Sequence, residues 1–592
     1  MRRTSKPASY SDSATLRHVA TGSFRESVSG SGYFGGSQHT APLRPTSSAD
    51  GDEDENNRMT VGGLRVCGVA RAAYLLQYFA VGLIYGGLPA TTYGFLLGYL
   101  NVPSYVYSSC GTVLTLPWSF KFVMGAMNDC VPIAGLRRKP YMVFGWSLCC
   151  AMLLVLYCLP LPAPYYCIDP TTGKYLVDTN PCNPSAAHDG GVPSVLMSAA
   201  AVGYVIADVA ADGLTVQYAR AEPEAQRGYT QSTVYMVRSV GQIAAYALVG
   251  LGMNGHEYLG SFDWSLTFNQ VCLVFALASG IMVPVAAFGI EEPRVLGHDG
   301  SFAEYWQATW TLLKSKAFFY VVLWQFFNPA IQYVKTTAAN NVQKYWAGVE
   351  TLQTNLFNMI AFILFALVLW VVRARFLNVS WRLMLATTTV VLVVLDMPFS
   401  LLTIFGVVRN QYFYLGDTVL SEIPEAAFFV VSCFVIVELA EDRNSGLVYG
   451  LLSTISNLGK GMPSAISNEI FAAFHPALSD SANYIAARGG DQLCFRRTVA
   501  WSFAVSYGFA FASLLTLPLM PDQKADAQRR MREWPHATCY AVCTLLLVGL
   551  SMGYSLTINF LSLTPLACLP FVGGEGCGAN ATSASSFNAT AC

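Results

Sequence analysis

Thirteen long apolar runs dominate this 592-residue sequence, and each is long enough to cross a membrane as a helix. Such a helix needs about 20 mostly apolar residues to cross about 30 Å of hydrocarbon. The first six runs, spans 1 to 6, cover residues 71–100, 104–127, 140–162, 193–219, 228–253 and 267–290. Spans 7 to 12 cover 317–340, 351–373, 381–408, 418–440, 445–472 and 498–519. The pattern predicts an all-α membrane protein of two six-helix bundles, with a candidate thirteenth span at 537–570.

The low charge of the chain favours a membrane protein over a soluble enzyme or a nucleic-acid-binding protein. Only 12% of the residues are charged, whereas an average soluble domain has roughly 25%. The formal net charge is −1, so the chain has no global basic field that would attract nucleic acid. The lipid bilayer is therefore an expected partner, and nucleic acid is not.

Polar segments between the apolar runs divide the chain into seven parts. Residues 1–66 are rich in Ser, Gly and Thr and contain no apolar stretch, so we expect a disordered cytosolic tail. The other parts are an N-terminal bundle at 67–290, a cytosolic central loop at 291–316, a C-terminal bundle at 317–520, a basic cytosolic linker at 521–536, the candidate thirteenth span at 537–570 and an external tail at 571–592. The sequence leaves open whether 537–570 crosses the membrane, lies on it or re-enters it.

The distribution of Lys and Arg predicts a cytosolic N-terminus. This orientation places sixteen of them in cytosolic loops and at most seven outside, and positively charged loops resist translocation. The external tail would then expose the glycosylation acceptors Asn580 and Asn588, whereas the acceptor Asn378 would lie in a cytosolic loop. We expect a location in the plasma membrane rather than in an organelle membrane.

Two cysteines, Cys167 and Cys182, share the predicted external loop between spans 3 and 4. In the chain-entropy model, a disulfide that closes a loop of this size stabilises the folded protein by about 3 kcal/mol. The sequence leaves open whether these cysteines are bridged or free.

An internal repeat relates the two predicted bundles. When Gly446 at the start of span 11 is aligned with Gly228 at the start of span 5, Gly459 falls under Gly241. Parallel repeats of this kind occur in transporters whose two halves share one fold. The alignment matches the two-half arrangement of the major facilitator fold.

Four ionisable residues lie deep inside spans 2, 4 and 5. On insertion scales, placing one charged residue there raises the free energy of membrane insertion by at least about 2.5–3.5 kcal/mol. Counting from the cytosolic loops places Lys121, Asp208, Asp212 and Arg238 at similar depths of roughly 12–18 Å. We expect these two cations and two anions to neutralise each other around a substrate and proton site. A structural ion cluster that tethers the helices is the alternative, and the two roles are compatible. In the second bundle, Lys460 is the candidate site residue.

Two blocks of the N-terminal half carry recognisable motifs. The first block is the stretch from Pro117 to Tyr141. The second consists of the motif Asp208-Val-Ala-Ala-Asp212, the segment Ala219–Ser232 and the motif Arg238-Ser-Val-Gly241. Over about 71–245 the chain resembles the folate-biopterin transporter family of the major facilitator superfamily. The resemblance implies a secondary active transporter of pteridines, folates or a related metabolite that moves its solute with protons by alternating access. Members of the family carry other solutes as well, including S-adenosylmethionine.

The segment after span 2 is expected to form a gate motif. Gly125 is predicted to permit close helix approach, and Asp129 is predicted to end span 2 and to pair across the gate. Arg137 and Arg138 are expected to hold the loop on the cytosolic side. Loss of Asp129 should then change the transport rate more than the choice of substrate.

Other functional classes lack the motifs they require. No Gly-x-x-x-x-Gly-Lys-Ser/Thr loop is present to hold ATP, which argues against a primary pump. His-Glu-x-x-His and Gly-x-Ser-x-Gly are also absent, so we expect no enzyme activity, no metal and no cofactor. A non-transporting nutrient sensor or receptor on the same fold stays open.

Overall fold

The computed structural model describes residues 59–574 apart from 62–63, 67, 170, 173, 221–228, 293–301, 373–374, 376–378, 440–444 and 489. The acceptors Asn378, Asn580 and Asn588 and residues 1–58 of the predicted tail lie outside these residues. The described part is mostly helical and has the all-α architecture that the apolar runs predict.

Helices form at all six predicted positions of the first bundle. Span 1 is Gly68–Thr92 continued by Tyr93–Tyr99, span 2 is Ser104–Thr115, Leu116–Phe120 and Lys121–Cys130, span 3 is Lys139–Cys158, span 4 is Gly191–Arg220, span 5 is Tyr229–Gly252, and span 6 is Phe268–Pro284 continued by Val285–Gly289. Their inner faces form one apolar core that buries Trp146, Phe95 and Phe275 completely. This core fixes the relative positions of spans 2, 4 and 5.

The second bundle has the same number of spans. Span 7 is Lys316–Gln332, span 8 is Thr351–Val371, span 9 is Trp381–Ile404, span 10 is Glu422–Leu439, span 11 is Ser445–Phe471, and span 12 is Leu493–Ala512 continued by Ser513–Leu519. The candidate thirteenth span is the helix Thr538–Leu561. Nine helices in the described part are long and apolar enough to cross a membrane, and the thirteenth is one of them.

Short elements connect the spans. The additional helices are Phe302–Leu313, Ala338–Asn341, Val342–Trp346, Gln411–Tyr414, Gly416–Leu420 and Lys524–Glu533. The strands Met59–Val61 and Leu64–Val66 pair with each other, as do Cys167–Ile168 and Tyr175–Leu176. The first strand pair lies inside the predicted tail, so the prediction of disorder for 1–66 does not hold for these two strands.

Several predicted spans are longer than the helices that form, and spans 3 and 7 show why. Span 3 ends at Cys158 rather than at 162, because Pro160 has no backbone N–H and disfavours helical geometry in the residue before it. Span 7 ends at Gln332 rather than at 340. The apolar side chains that follow, such as Val334 and Val342, are buried in a core between the bundles instead of continuing the helix. The apolar residues at the end of this run are therefore buried side chains of the fold, and they do not lengthen the membrane-crossing helix.

The thirteenth helix packs along the seam between span 2 and span 11. Ser464 of span 11 donates its hydroxyl to Asn559 Oδ1 at 2.9 Å and accepts one from Thr112 of span 2 at 2.7 Å. Ser555 donates to the Gly461 carbonyl oxygen at 3.2 Å. Polar groups thus join this helix to span 11, and Ser464 of span 11 is joined in turn to span 2.

The two bundles meet closely at the end that carries the loop between spans 3 and 4. Cys167 and Cys182 form a disulfide in this loop, and we call this the disulfide end. Tyr166 and Tyr345 share a hydrogen bond of 2.9 Å across the two halves, and Tyr345 also donates to Asn101 Oδ1 at 2.8 Å. The opposite end carries the Arg-rich gate motif, and we call it the arginine end.

Candidate substrate site

Spans 2, 4 and 5 bring the four predicted ionisable residues into one ion cluster. Lys121 Nζ lies 2.7 Å from Asp208 Oδ2 and 3.1 Å from Asp212 Oδ2. Arg238 Nη1 lies 3.6 Å from Asp208 Oδ1. The Asp208 side chain is 0% exposed, whereas the Asp212 side chain is 43% exposed. The cluster therefore holds one carboxylate between two cations and leaves the other open to a ligand.

Local sequence features place these side chains. Asp208 and Asp212 are four residues apart on the helix of span 4, so they share one face. The tight turn Leu116–Phe120 interrupts span 2, and Lys121 begins the next helical segment. A Cβ atom at Gly82 of span 1 would collide with the carbonyl oxygen of Arg238, so glycine is needed for span 5 to approach this closely.

Three aromatic residues that the sequence analysis did not select complete the ion cluster. Tyr78 donates its hydroxyl to Asp212 Oδ1 at 3.1 Å. The Arg238 guanidinium lies 4.9 Å from the ring centres of both Tyr85 and Trp118, and Lys121 Nζ lies 4.3 Å from that of Trp118. Aromatic faces attract cations and can stack on a planar ligand.

The gate motif is held together at the arginine end. Arg138 forms a buried ion pair with Asp129. The Glu292 carboxylate accepts backbone N–H bonds from Arg137 at 2.8 Å, Arg138 at 2.9 Å and Lys139 at 2.8 Å. An anion at the start of a helix satisfies N–H groups that have no partner within the helix. Glu292 therefore fixes the start of span 3, and the sequence analysis did not identify it.

The predicted role of Gly125 is wrong. A Cβ atom at Gly125 would meet only Val209 Cγ1, at an ordinary contact distance of 3.9 Å, so no close helix approach depends on this glycine. At Gly213 of span 4, a Cβ atom would collide with the Arg138 guanidinium, so this glycine leaves room for the arginine side chain. Because Gly213 follows Asp212, the arginine of the gate motif packs beside the ion cluster.

In the second bundle, Lys460 of span 11 forms an ion pair with Glu425 of span 10. Tyr333, which follows span 7, donates its hydroxyl to the same carboxylate. The Lys460 and Glu425 side chains are 36% and 29% exposed. We call Tyr333, Glu425 and Lys460 the second-bundle triad. Neither Tyr333 nor the pairing with Glu425 was predicted.

The aligned glycines occupy equivalent places in the two bundles. A Cβ atom at Gly241 of span 5 would collide with the carbonyl oxygen of Phe79 in span 1. A Cβ atom at Gly459 of span 11 would collide with that of Phe326 in span 7. In each bundle, the fifth helix thus approaches the first through the glycine that the repeat aligns.

Changing Asp129 to Asn is expected to lower the maximal uptake rate about tenfold and to leave KM for the solute nearly unchanged. The change removes the charge that pairs with Arg138, while the ion cluster keeps its own contacts. Initial uptake rates over a range of solute concentrations would measure both constants. The matched control is Asp263→Asn, at an exposed position. A raised KM with an unchanged maximal rate would contradict a gating role for Asp129.

Comparisons with known proteins identify both the family and the fold. A sequence model described as the BT1 family matches residues 82–165 and 187–483. A crystal structure of a variant of the peptide transporter POT with alafosfalin is 14% identical, covers 81% of this chain and 99% of that chain, and has a TM-score of 0.50. The same transporter with sulfate is 14% identical, with coverages of 82% and 100% and a TM-score of 0.50. No curated protein sequence matches the chain. The structural similarity shows the major facilitator fold.

Proposed function

Because this chain belongs to the BT1 family of folate-biopterin transporters and is an integral membrane transporter, we propose that it carries a pteridine, a folate or a related metabolite with protons. The observation that carries the proposal is the ion cluster of spans 2, 4 and 5. Its charges balance one another, yet the Asp212 carboxylate is 43% exposed and available to a solute. A cluster that served only as a brace between helices would not need an accessible carboxylate.

The ion cluster can bind a pterin through complementary groups. The ring presents amino and ring N–H donors along one edge, and the Asp212 carboxylate is an acceptor for such donors. Trp118 and Tyr85 provide aromatic faces next to the two cations, where a planar ring can stack. Lys121 and Arg238 supply positive charge for the negative end of the solute.

The position of Lys121 between two carboxylates supports the proposed proton coupling. Its ammonium reaches both Asp208 and Asp212. A proton on Asp212 would release Lys121 to Asp208 alone, so proton binding and the arrangement of the cluster depend on each other. The affinity for a solute that binds Asp212 in place of Lys121 would then depend on whether this carboxylate is protonated.

Transport would proceed by alternating access of the two bundles. In this proposal, the contacts at the disulfide end, including the hydrogen bond between Tyr166 and Tyr345, keep the solute path closed at that end. These contacts must open when the solute passes. Such a switch between two packed arrangements is a known way for domains to move.

We further propose that the N-terminus is cytosolic and that the disulfide end is external, in the plasma membrane. The disulfide between Cys167 and Cys182 supports this orientation, because disulfides persist in oxidising surroundings. If the thirteenth helix also crosses the membrane, the C-terminal tail with Asn580 and Asn588 is external and glycosylated.

Proteoliposomes that contain only this protein test the proposed function. Labelled folate, biopterin and S-adenosylmethionine are offered with and without an imposed pH gradient. We expect a pteridine or folate to accumulate only with the gradient and to be recovered chemically unchanged, as for a carrier and not an enzyme. If S-adenosylmethionine is the only compound taken up, the protein is a carrier of that solute and not of pteridines or folates. Binding of a compound without its transport into the vesicles would identify a sensor. Uptake that ignores the gradient would reject proton coupling.

A further inference from the structure

The second-bundle triad repeats the composition of the ion cluster. In the first bundle, Tyr78 from span 1 and Arg238 from span 5 flank the carboxylates of span 4. In the second, Tyr333 follows the first helix, Glu425 lies in the fourth and Lys460 lies in the fifth. The alignment that pairs Gly241 with Gly459 also brings Asp208 to within one residue of Glu425. Both halves of the repeat therefore contain a carboxylate from the fourth helix, a cation from the fifth helix, and a tyrosine that lies in the first helix or directly follows it.

The ion cluster and the second-bundle triad differ in the sign of their most exposed charged side chain. In the ion cluster, the Asp212 side chain is 43% exposed, while Lys121 and Arg238 are 17% and 14% exposed. In the triad, the Lys460 side chain is 36% exposed, and within the described residues its ammonium makes one hydrogen bond, to Glu425. Since an ammonium group has three donors, Lys460 can bind a second acceptor. The first bundle thus offers an anion and the second offers a cation.

The triad and the ion cluster lie along the same seam between the bundles. Asn457 of span 11 donates its amide to the carbonyl oxygen of Trp118 at 3.2 Å. The ring of Trp118 contacts both Lys121 and Arg238. Lys460 lies three residues after Asn457, which is less than one helical turn and places it on the same side of span 11. A solute at the ion cluster is therefore close to span 11.

We propose that the second-bundle triad is a binding subsite for a carboxylate of the transported solute, in which the Lys460 ammonium binds that carboxylate. The solute class is then an amphoteric molecule that presents N–H donors to Asp212 and a carboxylate to Lys460. This inference rests on the proposed transport function and specifies its substrate class. The solute carboxylate shares the Lys460 ammonium with Glu425, which keeps its hydrogen bond from Tyr333. Because the two ends bind different bundles, the solute joins both halves of the transporter.

Binding of folate and biopterin to the purified full-length protein tests this subsite, because folate carries carboxylates and biopterin does not. In Lys460→Gln we expect folate to bind about tenfold or more weakly than in the wild type, since a charge-assisted hydrogen bond is lost. Biopterin should bind equally well to both proteins. Lys460→Arg should restore folate binding, and Lys174→Gln, at an exposed loop position, serves as the matched control.

The outcomes separate this inference from the proposed function. A wild type that binds neither folate nor biopterin would reject the proposed function together with the subsite. A wild type that binds both, with equal losses for both in Lys460→Gln, would reject the subsite alone. The double variant Glu425→Gln/Lys460→Gln removes the pair without leaving an unbalanced charge. The double variant should fold and should bind folate as weakly as Lys460→Gln does. Folate binding as tight as in the wild type would overturn the subsite.

Discussion

The variant Asp212→Asn is expected to lose all proton-driven accumulation of solute and to remain folded in the membrane. Asp212 is 43% exposed, so removal of its charge leaves no deeply buried group without a partner. The asparagine oxygen can still accept the hydrogen bond from Tyr78. It cannot exchange a proton, so the imposed pH gradient should no longer drive uptake.

Accumulation of labelled solute in proteoliposomes, with and without a pH gradient, measures this effect. The expected ratio of inside to outside solute in Asp212→Asn is about one under either condition. Exchange of internal for external solute should persist, because it requires no net proton movement. Asp263→Asn, at an exposed position, is the matched control and should accumulate solute normally. Undiminished accumulation in Asp212→Asn would exclude this carboxylate as the coupling group.

Replacement of the neighbouring Asp208 is expected to act mainly on stability. Its side chain is 0% exposed, and it lies 2.7 Å from Lys121 and 3.6 Å from Arg238. Breaking a buried ion pair by removing one partner typically costs about 3–5 kcal/mol, because the remaining charge stays buried without compensation. We expect Asp208→Asn to lower the thermal unfolding temperature of the purified protein strongly and to eliminate transport.

A second substitution distinguishes stability from function at this site. In Asp208→Asn/Lys121→Gln, one cation and one anion are removed together, so the charge balance of the ion cluster is restored. The double variant should regain much of the lost unfolding temperature and should remain inactive, because Lys121 also contacts Asp212. Full transport activity in the double variant would show that the cluster is only a brace. An unfolding temperature of Asp208→Asn equal to that of the wild type would show that the carboxylate is not a buried counterion.

The sequence identified the charged half of the candidate site and not its aromatic half. Lys121, Asp208, Asp212 and Arg238 stand out because a charge inside an apolar run is costly and needs a reason. Tyr78 and Trp118 gave no comparable signal, since aromatic residues are ordinary in apolar spans. Their role depends on which face of each helix meets the charges, and that is set by tertiary packing.

Single glycines and charged loop residues were harder to interpret. Gly125 and Gly213 are equally plain in the sequence, but only Gly213 lies against another residue too closely for a side chain. Glu292 lies in the polar segment after span 6, and its role becomes evident only when the fold brings it to the first N–H groups of span 3. Long-range contacts of this kind leave no periodic trace in the sequence, unlike the spans themselves.

Water access to position 212 distinguishes a solute site between the bundles from a dry brace between helices. The measurement uses Asp212→Cys in a chain whose exposed free cysteines, including Cys158, Cys539 and Cys543, are replaced by serine. A charged maleimide that cannot cross the membrane is added to sealed vesicles of either orientation. We expect labelling from the arginine end, through a water-filled path between the bundles. Labelling by a lipid-soluble maleimide alone, with no reaction of the charged reagent from either side, would show that the ion cluster faces lipid or a dry interior and is not a solute site.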